Sequence, residues 1–284
     1  MKPVVRNARS SPRRLLDEPP AGTLDATKPP QRVTGTQPSG QSGCLDSYLI
    51  CATPRTGSSL LSGLLESTGL AGRPESYFRR QDEQSWVARW GVARSDGTFN
   101  YGAYIEGALV AGRTGNGVFA ARVMWGTLDE VIDKLGTLYP ELARRDIDLL
   151  QRAFGRTEFV YLHRRDVVAQ AVSWLRAEQT GVWVADRDEP HGEPRFDRDK
   201  ITEFVRTIDD HNAAWQQWFA GVGVEPFTVI YEDLDADPVG VTRGVLDALR
   251  LDLPLGRPVQ TDHRRLADQL NAEWVDRYRA ERRP

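Results

Sequence analysis

The sequence predicts an α/β fold with a mostly parallel sheet flanked by helices. Four short apolar runs carry that reading: Tyr48 to Ala52, Val118 to Trp125, Glu158 to His163 and Pro226 to Tyr231. Each has the length of a strand covered on both faces. The segments between them are long enough for the crossover helices that parallel neighbours require. The first run ends in a turn, Thr53-Pro-Arg-Thr-Gly-Ser58, after which Leu60, Leu61, Leu64 and Leu65 recur on one helical face. Strand, Gly-containing turn and helix follow one another directly.

Composition narrows what such a chain does. Its 284 residues allow one large domain or two small ones. A net charge of −3 provides no global basic field, so general nucleic-acid binding is not expected. Cys44 and Cys51 form neither a disulfide framework nor a metal cluster, and Cys51 reads as a small free thiol inside the first strand. His163, His191, His211 and His263 lack ligand spacing, so no metal site is expected. No apolar run approaches the roughly 20 residues of a membrane span. A reducing cytoplasm fits best.

In chain order, residues 1–45 hold no Phe, Trp or Tyr and are rich in proline. They bury too little apolar surface to offset their ordering entropy and read as a disordered tail before a single domain, 46–284. The tail lacks the apolar region of a secretory signal. Gly69 is placed to cap the first helix, and Ala71 to Phe78 forms a tight Pro-bearing loop. Residues 79–116 carry Trp86, Trp90, Phe99, Tyr101 and Tyr104 among polar residues and read as a helical or irregular excursion over a binding cleft. Leu128 to Leu138 and Arg145 to Phe154 have amphipathic spacing. Asp166 suits the N-terminus of a helix running through Gln179. Residues 185–199 are charged and read as a surface loop. Ile201, Phe204, Val205, Ile208, Trp215, Trp218 and Phe219 stripe a long helix from Lys200 to Ala220. A turn at Asp237–Pro238 leads into a helix to Leu249, and Asp262 to Arg283 forms a charged helix or pair of helices.

In open α/β sheets, ligands sit beyond the carboxyl ends of the strands. The turn after the first strand presents the unpaired N–H groups of a helix start to an anion. Against the phosphate-loop pattern G-x4-G-K-[ST], Ala52 stands for the first Gly, Gly57 is kept, and Ser58 replaces the Lys. Arg55 is then the local cation, and its forked guanidinium suits a tetrahedral anion. At the end of the third strand Arg164 supplies a second cation, and Ser173 adds a hydroxyl about two helical turns further on. Together they can grip a phosphate from two sides.

These segments together resemble the PAPS-dependent sulfotransferases. The stretch from Thr53 to Leu61 resembles their 5′-phosphosulfate loop. Arg164 and Ser173 resemble their 3′-phosphate pair, although the common spacing is one residue shorter. Tyr231 to Pro238 resembles their later strand-and-turn signature. A narrower match is to the bacterial trehalose 2-sulfotransferase family, through the loop from Arg55 to Ser58, Val123-Met-Trp125, the block from Asp166 to Ser173, Gln179-Thr180 and the stretch from Glu273 to Arg279. The resemblance spans about residues 47–284 and is weak over 79–116 and 181–199. It implies a sulfotransferase fold and metal-independent transfer of a sulfuryl group from PAPS to a hydroxyl of a carbohydrate or glycolipid, leaving 3′-phosphoadenosine 5′-phosphate.

On that resemblance, Arg55, Thr56, Gly57, Ser58 and Ser59 hold the 5′-phosphosulfate. Arg164 and Ser173 hold the 3′-phosphate, and Arg265 closes over the same nucleotide. Glu75 is the candidate base and touches the acceptor, with His163 as the fallback; an ungapped match sets Ser76 at the family's carboxylate position and Glu75 one residue before it. Arg122 stands where the family usually has Lys, either steadying the transferred group or forming a strand-edge ion pair. Trp125, Gln179, Thr180 and Trp183 are candidates to meet a sugar, since an aromatic face with amides suits polyhydroxylated ligands. Family members can dimerise, so a homodimer is compatible with this reading.

Two rival readings remain open on the sequence. A P-loop kinase or other NTPase would use Glu232 or Asp233 as its Mg²⁺-holding acid, against which Ser58 stands in the Lys position. A non-catalytic nucleotide- or carbohydrate-binding relative would keep the fold without the base.

Overall fold

The computed structural model describes residues 45–95, 97–183, 192–260 and 269–281. Strand β1 (Ser47–Ala52) leads into helix α1 (Ser58–Ser67). Helix α2 (Glu83–Trp90), the short hairpin β2 (Arg94–Ser95) and β3 (Thr98–Phe99), and α3 (Tyr101–Gly112) precede β4 (Phe119–Met124). Helices α4 (Trp125–Leu138) and α5 (Asp146–Phe154) lead to β5 (Thr157–His163), followed by α6 (Val167–Thr180) and α7 (Arg198–Val222). Strand β6 (Phe227–Ile230), α8 (Tyr231–Ala236), α9 (Pro238–Ala248) and α10 (Gln269–Glu281) complete the order.

The main sheet has the order β4-β1-β5-β6 and is parallel throughout. Strand alternation divides the core in two. Leu49 and Cys51 of β1, with Ala121, Val123, Phe159 and Tyr161, face a cluster reaching Trp86, Leu135, Leu150 and Trp215. Tyr48, Ile50 and Ala52, with Val160, Leu162 and Val229, face Leu61, Leu65, Leu234 and Leu246. With both faces covered, β1 has no polar side, which is why its sequence is continuously apolar. A third cluster joins α6, α7 and α10 around Trp174, Phe204 and Tyr278, where the Trp174 and Phe204 rings stack 4.6 Å apart.

Several expectations meet the structure directly. Gly69 takes a positive φ of 66° just past α1, and its N–H bonds the Glu66 carbonyl at 2.9 Å. The Asp166 carboxylate accepts the Ala169 N–H at 3.0 Å at the start of α6. Cys51 is a buried free thiol, and burial pushes its pKa well up. Of the expected segments, residues 1–44, the first part of the 185–199 loop (185–191), 261–268 with Arg265, and 282–284 lie outside the described residues.

The stretch 79–116 is mainly helical, as expected, but its aromatics are packed into the core. Trp86 and Tyr104 are buried, Trp86 stacks on Trp90 at 5.0 Å, and the Tyr104 hydroxyl donates to the Tyr77 carbonyl. The i, i+4 spacing of Trp86 and Trp90 puts both rings on one face of α2, and that spacing outweighs the polar residues between them. Helix α4 also starts three residues ahead of Leu128, and Tyr231 to Ala236 forms a helix, where the sequence reading ended the fourth strand at Tyr231 and placed the next turn at Asp237–Pro238.

One contact ties α7 to the functional edge. The Trp215 indole N–H donates to the carbonyl of Ala52, the last residue of β1, at 3.0 Å. Trp215→Phe keeps an aromatic ring but withdraws that donor from a buried carbonyl. It is expected to lower unfolding free energy by about 1–3 kcal/mol, read by urea denaturation.

Candidate active site

The sheet order reverses between β1 and β5. From β1 the chain crosses to β4 on one side, and from β5 to β6 on the other. Such a switch opens a crevice at the carboxyl ends of the two strands. The turn 53–57 and the turn 164–166 both open onto it.

The first turn is tightly folded. Arg55 and Gly57 both adopt left-handed backbone, with φ of 66° and 82°. The Thr56 hydroxyl donates to the Thr53 carbonyl at 2.9 Å, closing the turn from within. Helix α1 begins at Ser58 with no side-chain cap, so its first N–H groups face the crevice edge unpaired within the helix. A left-handed Arg costs on the order of 1–3 kcal/mol, and its side chain is correspondingly anchored. Arg55 Nε donates to Ser173 Oγ at 3.1 Å and Nη1 to the Trp183 carbonyl at 2.6 Å, with the guanidinium 5.7 Å from the Trp183 ring centre. Ser173, expected beside Arg164, therefore takes Arg55 as its partner.

The second turn is held by the residues that follow β6. The Arg164 guanidinium lies over the Tyr231 ring at 4.5 Å, and its buried Nε makes no hydrogen bond among the described residues. The Glu232 carboxylate accepts the backbone N–H groups of Arg165 and Asp166 at 3.1 and 3.2 Å, and also lies 3.8 Å from Arg164 Nε. Asp233 takes the Arg165 guanidinium at 2.9 Å, and Arg279 of α10 reaches Asp166 at 2.9 Å. Both carboxylates that a kinase reading would assign to Mg²⁺ thus engage the β5–α6 turn.

A third corner gathers at the edge of β4. Glu75 pairs its backbone with β4 beside Ala121, and the Arg122 N–H donates to the Glu75 carbonyl at 2.9 Å. The Arg122 side chain fans over three partners: Ser59 Oγ at 2.7 Å, Ser76 Oγ at 3.0 Å and the Glu75 carboxylate at 3.8 Å. Arg122 is mostly buried and Glu75 is 41 % exposed, so the carboxylate stays open to an incoming group while facing a fixed cation. Ser76 serves here as a hydrogen-bond partner of Arg122.

The expected sugar contacts are more scattered. Trp125 opens α4 half-buried, its ring 5.1 Å from Trp215. Trp183 is buried against Arg55. Gln179 exchanges two hydrogen bonds with the Arg195 backbone, at 2.7 and 3.0 Å, and the Thr180 hydroxyl donates back to the Arg176 carbonyl at 2.8 Å. His163 closes β5 with its ring 5.4 Å from Tyr161. Sequence reasoning gave no role to Gln170, whose buried amide reaches Thr53 and Pro54. The available signal was its position three residues before Ser173, on the same helical face. Among the described residues no group of His, Cys, Asp or Glu is arranged to hold a metal ion, and no helix is long and apolar enough to cross a membrane.

The fold and the crevice are those of an α/β protein with a phosphate-loop-like turn, in which Ser58 stands at the Lys position and Arg55 is the local cation. The chain belongs to the Stf0 sulphotransferase family, whose model matches residues 47–281. It is 32 % identical over 263 residues to the trehalose 2-sulfotransferase of Mycobacterium tuberculosis (strain Erdman), covering 82 % of this chain and 94 % of that one. Similarity to the trehalose 2-sulfotransferase of Mycolicibacterium smegmatis is 31 % over 254 residues, with the same coverage. Among solved structures, the sulfotransferase domain of the Synechococcus PCC 7002 olefin synthase matches with a TM-score of 0.39 and 15 % identity, covering 88 % of this chain and 93 % of that one.

Proposed function

We propose that this sulfotransferase moves a sulfuryl group from PAPS to a hydroxyl of a trehalose-like carbohydrate or glycolipid. The acceptor oxygen attacks sulfur in line as the bond from sulfur to the 5′-phosphate oxygen breaks. 3′-Phosphoadenosine 5′-phosphate leaves, and the acceptor proton passes to the Glu75 carboxylate. Arg55 and the N–H groups at the start of α1 take the 5′-phosphosulfate; Arg164 and Ser173 take the 3′-phosphate. Arg122, bonded to Ser59 and facing Glu75, stands between the donor loop and the base, where charge develops during transfer. The acceptor class rests on the two trehalose 2-sulfotransferases, which the chain matches over most of its length.

The observation that carries this reading is the 3.1 Å contact between Arg55 and Ser173. It joins the two anion-binding elements, 118 residues apart in the chain, at the switch point. A donor with a phosphate at each end of a ribose suits two such elements better than a triphosphate, which lacks the second one. Calorimetry on the protein and on Arg164→Ala tests it. The unmodified chain is expected to bind 3′-phosphoadenosine 5′-phosphate in preference to ATP–Mg²⁺, and Arg164→Ala to weaken that binding by about 10- to 150-fold, the worth of a charged hydrogen bond. A preference for ATP–Mg²⁺ would overturn the donor assignment.

A further inference from the structure

The Gln170 side chain is fully buried, on α6, one turn before Ser173. Its amide nitrogen lies 2.9 Å from Thr53 Oγ1 and 2.6 Å from the Pro54 carbonyl, across 117 and 116 residues of sequence. A carbonyl can only accept, so the amide turns its NH₂ end to the turn. The other end, Oε1, is buried with no hydrogen-bond partner among the described residues. A Leu or Met here would remove the unpaired oxygen but would also take the donors away from the Thr53 hydroxyl and the Pro54 carbonyl. What the amide supplies is the link between α6 and the turn.

Gln170 and Ser173 are three residues apart, so they project from one face of α6. They grip successive parts of one turn: Gln170 holds Thr53 and Pro54, and Ser173 meets Arg55. The turn and α6 are thereby fixed to each other at two points. One carries the 5′ anion site, and the other, through Arg164 at its head and Ser173 within it, the 3′ site.

We infer that Gln170 is a positioning residue that sets the distance between the two phosphate-binding elements, and so selects a donor phosphorylated at both ends of its ribose. The inference rests on the donor reading above. Neither atom of the Gln170 amide is assigned to the ligand; it acts through Thr53 and Pro54. Removing it leaves each anion site intact but releases their spacing. The loss therefore falls on ligands that bridge the sites and spares those that use one.

The experiment compares the affinity of 3′-phosphoadenosine 5′-phosphate with that of adenosine 5′-phosphate, by calorimetry, in the unmodified protein and in Gln170→Leu. The ratio of the two affinities is expected to fall about tenfold or more in Gln170→Leu, with adenosine 5′-phosphate binding changed by less than about threefold. Thr53→Val removes one of the two acceptors and keeps the Pro54 bond, so it reads the same linkage if Gln170→Leu fails to fold. Its ratio is expected to fall by a smaller factor. Equal losses for both ligands, or an unchanged ratio in either folded variant, would overturn the inference. Failure of the unmodified protein to prefer the bisphosphate would instead sink the donor reading, so the two failures are distinguishable.

Discussion

Glu75→Gln is expected to lower kcat by about 10²- to 10⁴-fold while leaving donor affinity within about twofold, since positioned general bases contribute factors of that size. The carboxamide has the same shape and keeps the backbone pairing beside Ala121, so β4 and the Arg122 fan remain in place. It cannot accept a proton from the acceptor hydroxyl. Steady-state turnover with a trehalose-type acceptor, alongside calorimetric titration of 3′-phosphoadenosine 5′-phosphate, separates the two effects. Near-normal kcat with intact binding would remove Glu75 as base and direct attention to His163 at the end of β5.

The second large effect is expected at Gly57. Its φ of 82° is strained for any residue with a side chain, and a Cβ there would lie 2.5 Å from Cδ2 of Tyr231. Left-handed backbone adds about 1 kcal/mol and overpacking about 1–3 kcal/mol, so Gly57→Ala should lose roughly 2–4 kcal/mol of stability. A fall in Tm of roughly 5–15 °C follows for a domain of this size. Tyr231 lies under the Arg164 guanidinium, so on the proposed donor assignment 3′-phosphoadenosine 5′-phosphate binding is expected to weaken as well. Combining Gly57→Ala with Tyr231→Ala tests the steric part. Recovery of part of the lost Tm relative to the sum of the single changes confirms the clash, and strict additivity would assign the whole cost to the backbone.

Much of this architecture is legible in the chain because its strands are covered on both faces. Apolar runs such as Tyr48 to Ala52 and Glu158 to His163 announce buried parallel strands, and their boundaries shift by one or two residues at most. The turn at Arg55 to Ser58 is equally readable, since Gly57 must be Gly and a helix follows at once. Hydrogen bonds between distant side chains leave no local trace. That Ser173 meets Arg55, that Ser76 holds Arg122, and that Glu232 holds the turn before α6 all depend on which strands are neighbours. The helices of the aromatic stretch 79–116 are legible, but that Trp86 and Tyr104 lie in the core with β4 depends on a strand elsewhere in the chain. Gln170 shows the limit most clearly, because a buried amide within a helix gives no sign of its partner.

The order of the strands also bears on how the protein comes to exist. Strand β1 is the first element of the sheet to be synthesised, yet it lies between β4 and β5, and Ser47 meets Thr157 only after 110 further residues. No edge of β1 can be satisfied locally, and pairings of such long range make for slow folding. The turn that follows β1 waits longer still, since Gln170 and Ser173 fix it from α6 and Trp215 secures its base from α7. During translation the apolar stretch from Tyr48 to Ala52 therefore stays unpaired on both edges until β4 has emerged, and on one edge until β5 follows, an aggregation hazard for a nascent polypeptide. The turn after β1, although it comes early in the chain, is among the last parts of the molecule to take shape.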